Sequence, residues 1–303
     1  MITLLDAADL QRLTWLEIDL ALVAQAPPRR AHPLVVLEAL FKGVFEAARL
    51  DPRLVKQLWH WPGAGVDALH WQAGTRIPLT IQLFGLSAEQ IPTWLDQLHA
   101  RFAPARGPNF SLAEVGPWRI ARSPDAPAGT ALSLDFLTPV PLPHQPGAPN
   151  TALDGAGFQR LCQTRLRKLF GREGQLPPPP ELDVSAWRYW RTEHRSRSQG
   201  GHPMFLNGCV GPLCLSGPEL PPWRPWLGLF SAVGLGERLS FAQGRLLLRE
   251  EAAAPESVEP GIAPGGYAAL SSSTPRCGAP GSASPTPTSS SAPTMPRPPP
   301  ACR

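Results

Sequence analysis

The stretches Leu16-Glu-Ile-Asp-Leu20 and Leu132-Ser-Leu-Asp-Phe136 decide the fold, because they repeat one pattern in the two halves of the chain. In each stretch apolar residues alternate with polar ones, and a period of two residues is typical of a strand with one buried face. Each stretch also opens a similar succession of strand-like and helix-like segments. The repeat predicts two copies of one structural unit; an accidental similarity of two short strands is the alternative.

The first half continues with a helix that Pro33 begins, since proline is well tolerated in the first helical turn. Residues 77–83 alternate again and predict a strand. Ser87 and Gln90 have the spacing of a capping box for a second helix. A further strand is predicted near residues 59–71 and a closing strand at 110–120. The apolar stripes of the two helices are Leu34, Leu37, Phe41, Val44 and Phe45, and Ile91, Trp94, Leu95, Leu98 and Phe102.

The second half repeats this order. Its predicted elements are a strand at 132–137, a helix at 157–170, strands at 184–191 and 204–215, a short helix at 225–233 and a last strand at 245–249. The order strand–helix–strand–strand–helix–strand, met twice, predicts an α+β protein of two tandem ferredoxin-like (βαββαβ) domains. We place them at residues 1–125 and 126–251.

Residues 252–303 differ in composition, being rich in Pro, Ser, Thr, Ala and Gly. Such a segment cannot bury enough apolar surface to offset the entropy lost on ordering. We therefore predict a disordered tail.

Positive charge is concentrated in one part of the chain. Residues 151–250 carry 13 basic and 8 acidic residues, a net charge of +5, whereas residues 1–150 have a net charge of −1. Nearly all of the cations are arginines, whose planar fork suits phosphates and base edges. This indicates a nucleic-acid partner; the base composition of the genome is the alternative explanation for the arginines.

Several classes of protein are disfavoured by the sequence. The five cysteines are scattered and none forms a C-x-x-C pair, so neither a zinc site nor a disulfide framework is expected. The N-terminus lacks the pattern of a secretion signal, and no apolar run approaches the roughly 20 residues that span a bilayer. We expect a cytoplasmic protein that uses no metal, no cofactor and no membrane.

Three segments in the second half follow one another at informative spacing. They are Leu132-Ser-Leu-Asp-Phe-Leu-Thr-Pro-Val-Pro-Leu142; Trp190-Arg-Thr-Glu-His-Arg-Ser-Arg-Ser-Gln-Gly200 leading into Asn207-Gly-Cys-Val-Gly211; and Leu229-Phe-Ser-Ala-Val-Gly-Leu-Gly-Glu-Arg-Leu-Ser-Phe-Ala-Gln-Gly244. In this order they resemble the CRISPR-associated repeat-RNA (pre-crRNA) processing endoribonucleases of the RAMP superfamily. The resemblance covers roughly residues 130–250, and it extends to the first half only by topology. One departure is Ala242, which stands where the family's last loop usually has the first glycine of Gly-x-Gly.

The resemblance implies a metal-independent endoribonuclease. Such enzymes cut CRISPR repeat RNA to mature crRNA by attack of a 2′-hydroxyl on the scissile phosphate. The implied partners are the repeat RNA or crRNA and other CRISPR effector subunits. A RAMP-fold RNA-binding subunit without catalysis is the alternative, and a ferredoxin-like scaffold that binds no RNA is a third possibility.

Candidate catalytic residues follow from the resemblance and from position. Members of the family often place a histidine near the first strand–helix junction, where this chain has His32 beside Arg30. The helix N-terminus should disfavour imidazolium and keep His32 available as a base, while Arg29 and Arg30 hold the phosphate. His194 with Arg195 is a second candidate centre, with simple RNA contact as its alternative. Lys42 is family-like, although Glu38, Lys42 and Glu46 have the spacing of an exposed ion-pair ladder.

Candidate RNA-binding residues are arginines and glycines. A helix and a strand of the second half carry clusters of cations, and the glycines of the last loop allow backbone N–H groups to approach an anion closely. A solvated helix face and tight packing of a terminal hairpin are the respective alternatives. The full set is Arg29, Arg160, Arg165, Arg167, Lys168, Arg172, Arg191, Arg195, Arg197, Gly234, Gly236, Arg238 and Gly244.

Overall fold

A computed structural model describes residues 4–27, 32–103, 109–143, 147–195, 203–238 and 241–251; the side chains of residues 193–195, 203 and 204 are not described. The predicted tail, 252–303, therefore lies outside the described residues. So do Arg29, Arg30 and Arg197. All described residues belong to one compact unit.

The first half forms a four-stranded antiparallel sheet. Its elements are α1 (Ala7–Leu10), β1 (Thr14–Ala24), α2 (Pro33–Ala47), β2 (Lys56–His60), β3 (Arg76–Phe84), α3 (Gln90–Arg101) and β4 (Phe110–Arg122). The strands lie in the order β2-β3-β1-β4. With α2 between β1 and β2 and α3 between β3 and β4, this is the ferredoxin-like arrangement.

The second half repeats that arrangement with one strand divided. Its elements are β5 (Leu132–Val140), α4 (Gly155–Phe170), β6 (Glu181–Asp183), β7 (Arg188–Arg195), β8 (Pro203–Ser216), α5 (Leu220–Val233) and β9 (Leu246–Glu250). The order is β6-β8-β5-β9, and β7 pairs with β8. The prediction of two tandem ferredoxin-like units is confirmed. The predicted boundary at residues 125 and 126 falls in the connection from β4 to β5, and as a domain boundary it stays a prediction.

The helices of each half pack on one face of its sheet. Each half also contributes apolar side chains to the core of the other half. The alternating side chains of β1 lie under α2 and α3, as the period of two predicts. Trp15, Leu58 and Phe84 come from the first sheet but pack in the core of the second half. In return, Leu206 and Val210 of β8 pack in the core of the first half. The two halves therefore share apolar contacts that extend well beyond the linker.

Several element boundaries differ from the sequence prediction. The strand predicted near residues 59–71 is β2 at Lys56–His60, and Val66–Ala68 form a 3₁₀ helix instead. The strand predicted at 184–191 begins only at Arg188, because the chain turns at residues 184–187, where Asp183 accepts the Ser185 N–H at 2.8 Å. Helix α5 begins five residues earlier than predicted, since Pro221 and Pro222 lie in its first turn, where a missing N–H costs little. Ser87 does not cap α3; its N–H donates to Gln90 Oε1 at 3.0 Å, and the helix begins at Gln90.

The short helix α1 was not predicted. It is held by a reciprocal pair of bonds in which Asp9 N–H donates to Asp6 Oδ1 at 2.8 Å and Asp6 N–H donates to Asp9 Oδ2. In the described part of the chain, no helix combines the length and the apolar character needed to cross a membrane.

Candidate functional site

His32 occupies the N-cap of α2. Its Nδ1 accepts the Leu34 N–H at 3.3 Å, and Pro33 follows in the first helical position. This is the location that the sequence predicts for the histidine. Because a neutral imidazole has one N–H, and Nδ1 is an acceptor here, the proton of neutral His32 lies on Nε2.

The imidazole of His32 also meets the second half of the chain. Its ring lies edge-on to Trp190 of β7, with 5.2 Å between ring centroids. Burial, together with the smaller effect of the charge of His70, lowers the pKa of His32 to about 4. The expected neutral state is therefore present, but its principal cause is desolvation rather than the helix N-terminus.

The other candidate catalytic groups are described only in part. Arg29 and Arg30 lie outside the described residues. The backbone of His194 and Arg195 forms the end of β7, where His194 pairs with Met204, but their side chains are not described. These assignments stay predictions.

The cations of α4 serve different purposes. Arg160, Arg167 and Lys168 are exposed, and spacings of seven and eight residues from Arg160 place them on one helix face. Arg167 lies 3.7 Å from Glu173 in an exposed ion pair of little energetic value. Arg172, just beyond the helix, donates to the Leu4 carbonyl at 2.9 Å and pairs with Asp9, so it holds the N-terminal segment.

Arg165 is buried, and the prediction that it belongs to an exposed cationic helix face is wrong. Its side chain is 0% exposed. Nη2 donates to the carbonyls of Leu235 and Gln243, at 2.5 and 2.8 Å. Burial lowers the pKa of Arg165 to about 9. Its guanidinium holds the glycine-rich loop and cannot reach a phosphate at the helix surface.

The glycines of this loop allow close packing. A Cβ at Gly244 would lie 1.8 Å from the Leu235 carbonyl, and one at Gly234 would lie 2.6 Å from the Gly244 carbonyl. The N–H groups of Gly234 and Gly244 already donate to the carbonyls of Phe230 and Pro139. Gly234, Gly236 and Gly244 are buried, and all three have positive φ. This geometry matches the alternative explanation, which is tight packing of a terminal hairpin. The N–H groups of Gly234 and Gly244 are not available to bind an anion, as the prediction of an anion-binding loop requires.

The edge of the loop nevertheless reaches the β7–β8 hairpin. Arg238, which is half-buried, donates from Nη1 to the Phe205 carbonyl at 2.6 Å. On β7, Arg191 is exposed and its guanidinium lies 4.1 Å from the centre of the Phe205 ring. Arg188 pairs with Asp67 of the first half. Arginines of the strand and the loop therefore meet around Phe205.

Tyr189 and Asn207 are residues that the sequence reasoning missed. The Asn207 amide donates to the Tyr189 hydroxyl at 2.6 Å, and Tyr189 is 38% exposed. Alternation along β7 was the available signal, because it places Tyr189 and Arg191 on the face opposite Arg188 and Trp190.

A second polar cluster lies on the face of the first sheet that its helices leave uncovered. His60, Thr80 and Asp19 stand in register across β2, β3 and β1. Asp19 accepts from Thr80 at 2.7 Å and from Arg119, which lowers its pKa despite opposing desolvation. Burial and the charge of Arg245 lower the pKa of His60 to about 3. The sequence offered no sign of this cluster, because its members are far apart in the chain.

Lys42 shows the ion pair expected of it. Its Nζ lies 3.8 Å from Glu46, and both side chains are more than half exposed. The contact fits the ladder rather than a catalytic position.

Comparisons with known proteins complete the description. No protein-family model matches the chain, and no curated protein matches it in sequence. Among solved structures it is similar to a RAMP protein that binds different RNA substrates, at 11% identity and a TM-score of 0.46, covering 78% of this chain and 100% of that one. It is also similar to a Cas6-related protein from Pyrococcus furiosus, at 11% identity and 0.45, with the same coverage. Cas6 from Thermus thermophilus matches at 14% identity and 0.44, over 78% of this chain and 99% of that one. At these identities the similarity concerns the course of the main chain alone.

Proposed function

We propose that this chain binds CRISPR repeat RNA and cleaves it without a metal ion. The observation that carries the proposal is the contact of His32 with Trp190. It brings a neutral imidazole at the start of α2 against a strand that also carries Arg188, Arg191 and Arg195. The strand belongs to the segment that resembles the repeat-RNA endoribonucleases.

RNA binding in this proposal rests on exposed cations of the second half. Arg160, Arg167 and Lys168 share one face of α4, and Arg191 is exposed on β7. In the described structure their only carboxylate contact at ion-pair distance is that of Arg167 with Glu173. Such side chains neutralise phosphates and release counterions, so the affinity should fall steeply with salt. Arg165 is no longer part of this surface.

The proposed reaction forms one P–O bond, breaks another and moves one proton. The 2′-oxygen bonds to phosphorus as the bond to the following 5′-oxygen breaks, leaving a 2′,3′-cyclic phosphate and a 5′-hydroxyl. The 2′-hydroxyl loses a proton and the 5′-oxygen gains one. With the proton on Nε2, His32 is suited to donate a hydrogen bond to a phosphate oxygen or to the leaving oxygen. It acts as a base only if Nδ1 releases the Leu34 N–H.

The experiment separates the chemistry of the imidazole from its capping role. Asparagine is a favoured N-cap, so His32→Asn keeps a side-chain acceptor for the helix while removing the imidazole. Loss of one hydrogen-bond donor to the developing charge costs about 10²–10³-fold in rate. We expect single-turnover cleavage of a cognate repeat by His32→Asn to be slower by at least about 10²-fold, with RNA affinity and melting temperature close to wild type.

The outcomes decide between the alternatives. Wild-type cleavage should persist in chelator and leave a cyclic phosphate. If His32→Asn cuts at the wild-type rate, the chemistry lies elsewhere, and His194 and Arg30 are the next groups to replace. If the wild type binds repeat RNA but never cuts it, the chain is a non-catalytic RNA-binding subunit.

A further inference from the structure

A small pocket lies beside the β7–β8 hairpin. It has a volume of about 220 Å³. Proline rings form part of its wall, and Tyr189, Asn207 and Asn150 contribute polar groups. Its lining includes Pro141, Leu142, Pro143, Asn150, Tyr189 and Asn207.

The floor of the pocket depends on Gly208. A Cβ at this position would lie 2.5 Å from the Val140 carbonyl carbon and 2.8 Å from the Pro141 nitrogen. Glycine therefore lets the chain after β5 pack directly against β8. The proline wall and the hairpin meet only because this residue has no side chain.

The polar groups of the pocket form a donor next to an acceptor. Asn207 donates its amide hydrogen to the Tyr189 hydroxyl at 2.6 Å. The hydroxyl hydrogen is then directed elsewhere, and Asn207 Oδ1 is left as an acceptor. An adjacent donor and acceptor match the Watson–Crick edge of any nucleobase. Because paired bases already use that edge, the matching partner is an unpaired base.

The surroundings suit the rest of a nucleotide. The base that meets the Tyr189 hydroxyl lies beyond the edge of the ring, so the exposed ring face can stack on a neighbouring base of the same strand. Base–aromatic stacking is tolerant of base identity. Arg191 stands directly across from Asn207 in the β7–β8 register and lies over Phe205. Its charge is thus available to a phosphate next to the stacked base.

We propose that the pocket between Tyr189, Asn207 and residues 141–143 holds one unpaired nucleobase of the bound RNA. This inference rests on the proposed function for the source of the base. Free mononucleotides carry the same chemistry and are distinguished by the experiment below.

The experiment measures the affinity of the full chain for an unpaired oligoribonucleotide, an RNA duplex of matched length and adenosine monophosphate. We expect Tyr189→Leu, which keeps apolar bulk but removes the ring, to weaken binding of the unpaired RNA by about 5- to 150-fold. The duplex should lose less than about 3-fold, because its bases are already stacked on each other. Tyr189→Phe keeps the ring and loses the hydroxyl donor, so its loss of affinity should be smaller than that of Tyr189→Leu.

A matched control removes another exposed aromatic ring. Trp118 on β4 is 48% exposed, and Trp118→Leu should leave the affinity for unpaired RNA unchanged. Melting temperatures show whether each variant is folded. If Tyr189→Leu does not fold, the affinities are measured for Asn207→Leu instead.

The outcomes separate the two proposals. Equal binding of unpaired RNA by wild type, Tyr189→Leu and Asn207→Leu overturns the pocket and leaves the proposed function standing. Binding of the mononucleotide that depends on Tyr189, without binding of any RNA, supports the pocket and overturns the proposed function. A wild type that binds neither overturns both.

Discussion

Arg165 is a buried cation with a structural role, although other arginines of its helix are exposed. Its guanidinium bridges the carbonyls of Leu235 and Gln243 beneath the glycine-rich loop. Nε and Nη1 have no partner among the described residues. The energetic value of the side chain therefore lies in the bonds from Nη2 to these two carbonyls.

Replacing Arg165 tests this structural role. We expect Arg165→Gln to lower the free energy of unfolding by about 2–4 kcal/mol, since buried acceptors lose their donor and a cavity forms. Arg167→Gln on the exposed face of α4 is the control and should change it by less than about 0.5 kcal/mol. Urea unfolding measures both. Equal stabilities of the two variants would contradict the structural role.

Ala242 has positive φ, at +51°, in a buried position. The left-handed conformation costs an ordinary residue about 1–2 kcal/mol, which glycine would avoid, whereas loss of the buried methyl group costs about 0.8 kcal/mol. We expect Ala242→Gly to be within about 1 kcal/mol of wild type, or more stable, by thermal unfolding. Ala242→Val should be destabilised by more than about 2 kcal/mol. A stable valine variant would show that the loop has another conformation.

His60 predicts an acid-sensitive fold. Its pKa is about 3 when folded and near 6.5 when unfolded, so the unfolded chain binds the proton first as the pH falls. The stability that depends on this group is fully present above about pH 6.5 and is lost progressively toward pH 3. The loss has reached about 2 kcal/mol at pH 5. The charges that face it are Arg245 and Asp19, which act in opposite directions. His60→Asn should show a smaller loss of unfolding free energy between about pH 7 and pH 5; an unchanged loss would assign the effect to other groups.

At the scale of elements, α4 divides its cations between two faces. Arg165 lies on the buried face with Leu161 and Leu169, whereas Arg160, Arg167 and Lys168 lie on the exposed one. A helix brings residues seven or eight apart to one side, so the same short segment serves both the core and a ligand.

The exposed face of α4 should set the salt dependence of RNA binding. Each phosphate contact adds about 0.7–0.9 to the slope of log K against log salt. Replacing Arg160, Arg167 and Lys168 by Gln should therefore reduce the slope by about 2–3 and leave the melting temperature unchanged. Exposed arginines of the first half, Arg53, Arg76 and Arg122, form a control of equal charge. Identical slopes for the two triple variants would remove α4 from the binding surface.

At the scale of the whole molecule, the two ferredoxin-like halves depend on each other. Trp15, Leu58 and Phe84 pack in the second core, and Leu206 and Val210 pack in the first. Separation of the halves would expose these five side chains. We expect one cooperative unfolding transition, with the same midpoint by tryptophan fluorescence and by circular dichroism. Two resolved transitions would show that the halves fold independently.

Among the described residues, the members of both cores precede the predicted tail. Their last members are Leu246 and the partly buried Leu248, and Glu251 still donates its N–H to Ala131. We expect a chain that ends at Glu251 to keep the melting temperature and the RNA affinity of the full chain. A large loss of either would assign the tail a role in packing or binding.

Local patterns were sufficient to predict most elements of this chain. The alternation at Leu16–Leu20 and Leu132–Phe136 and the stripe on α2 are set by the geometry of single strands and helices, which repeats every few residues. The position of His32 before Pro33 is local in the same sense, and the structure agrees. The sequence also showed that this helix is rich in arginine, but not which of the arginines are exposed.

Contacts between distant residues decided what the local patterns left open. Arg165 is buried because Leu235 and Gln243, 70 and 78 residues away, bring carbonyls to it. The cluster of His60, Thr80 and Asp19 and the pocket of Tyr189 and Asn207 exist only once strands pair across long separations. Burial and hydrogen-bond partners depend on that pairing and not on residue type. The sequence by itself therefore determined the order of elements and the supply of cations, whereas the tertiary structure decided which cations face solvent and which hold the core.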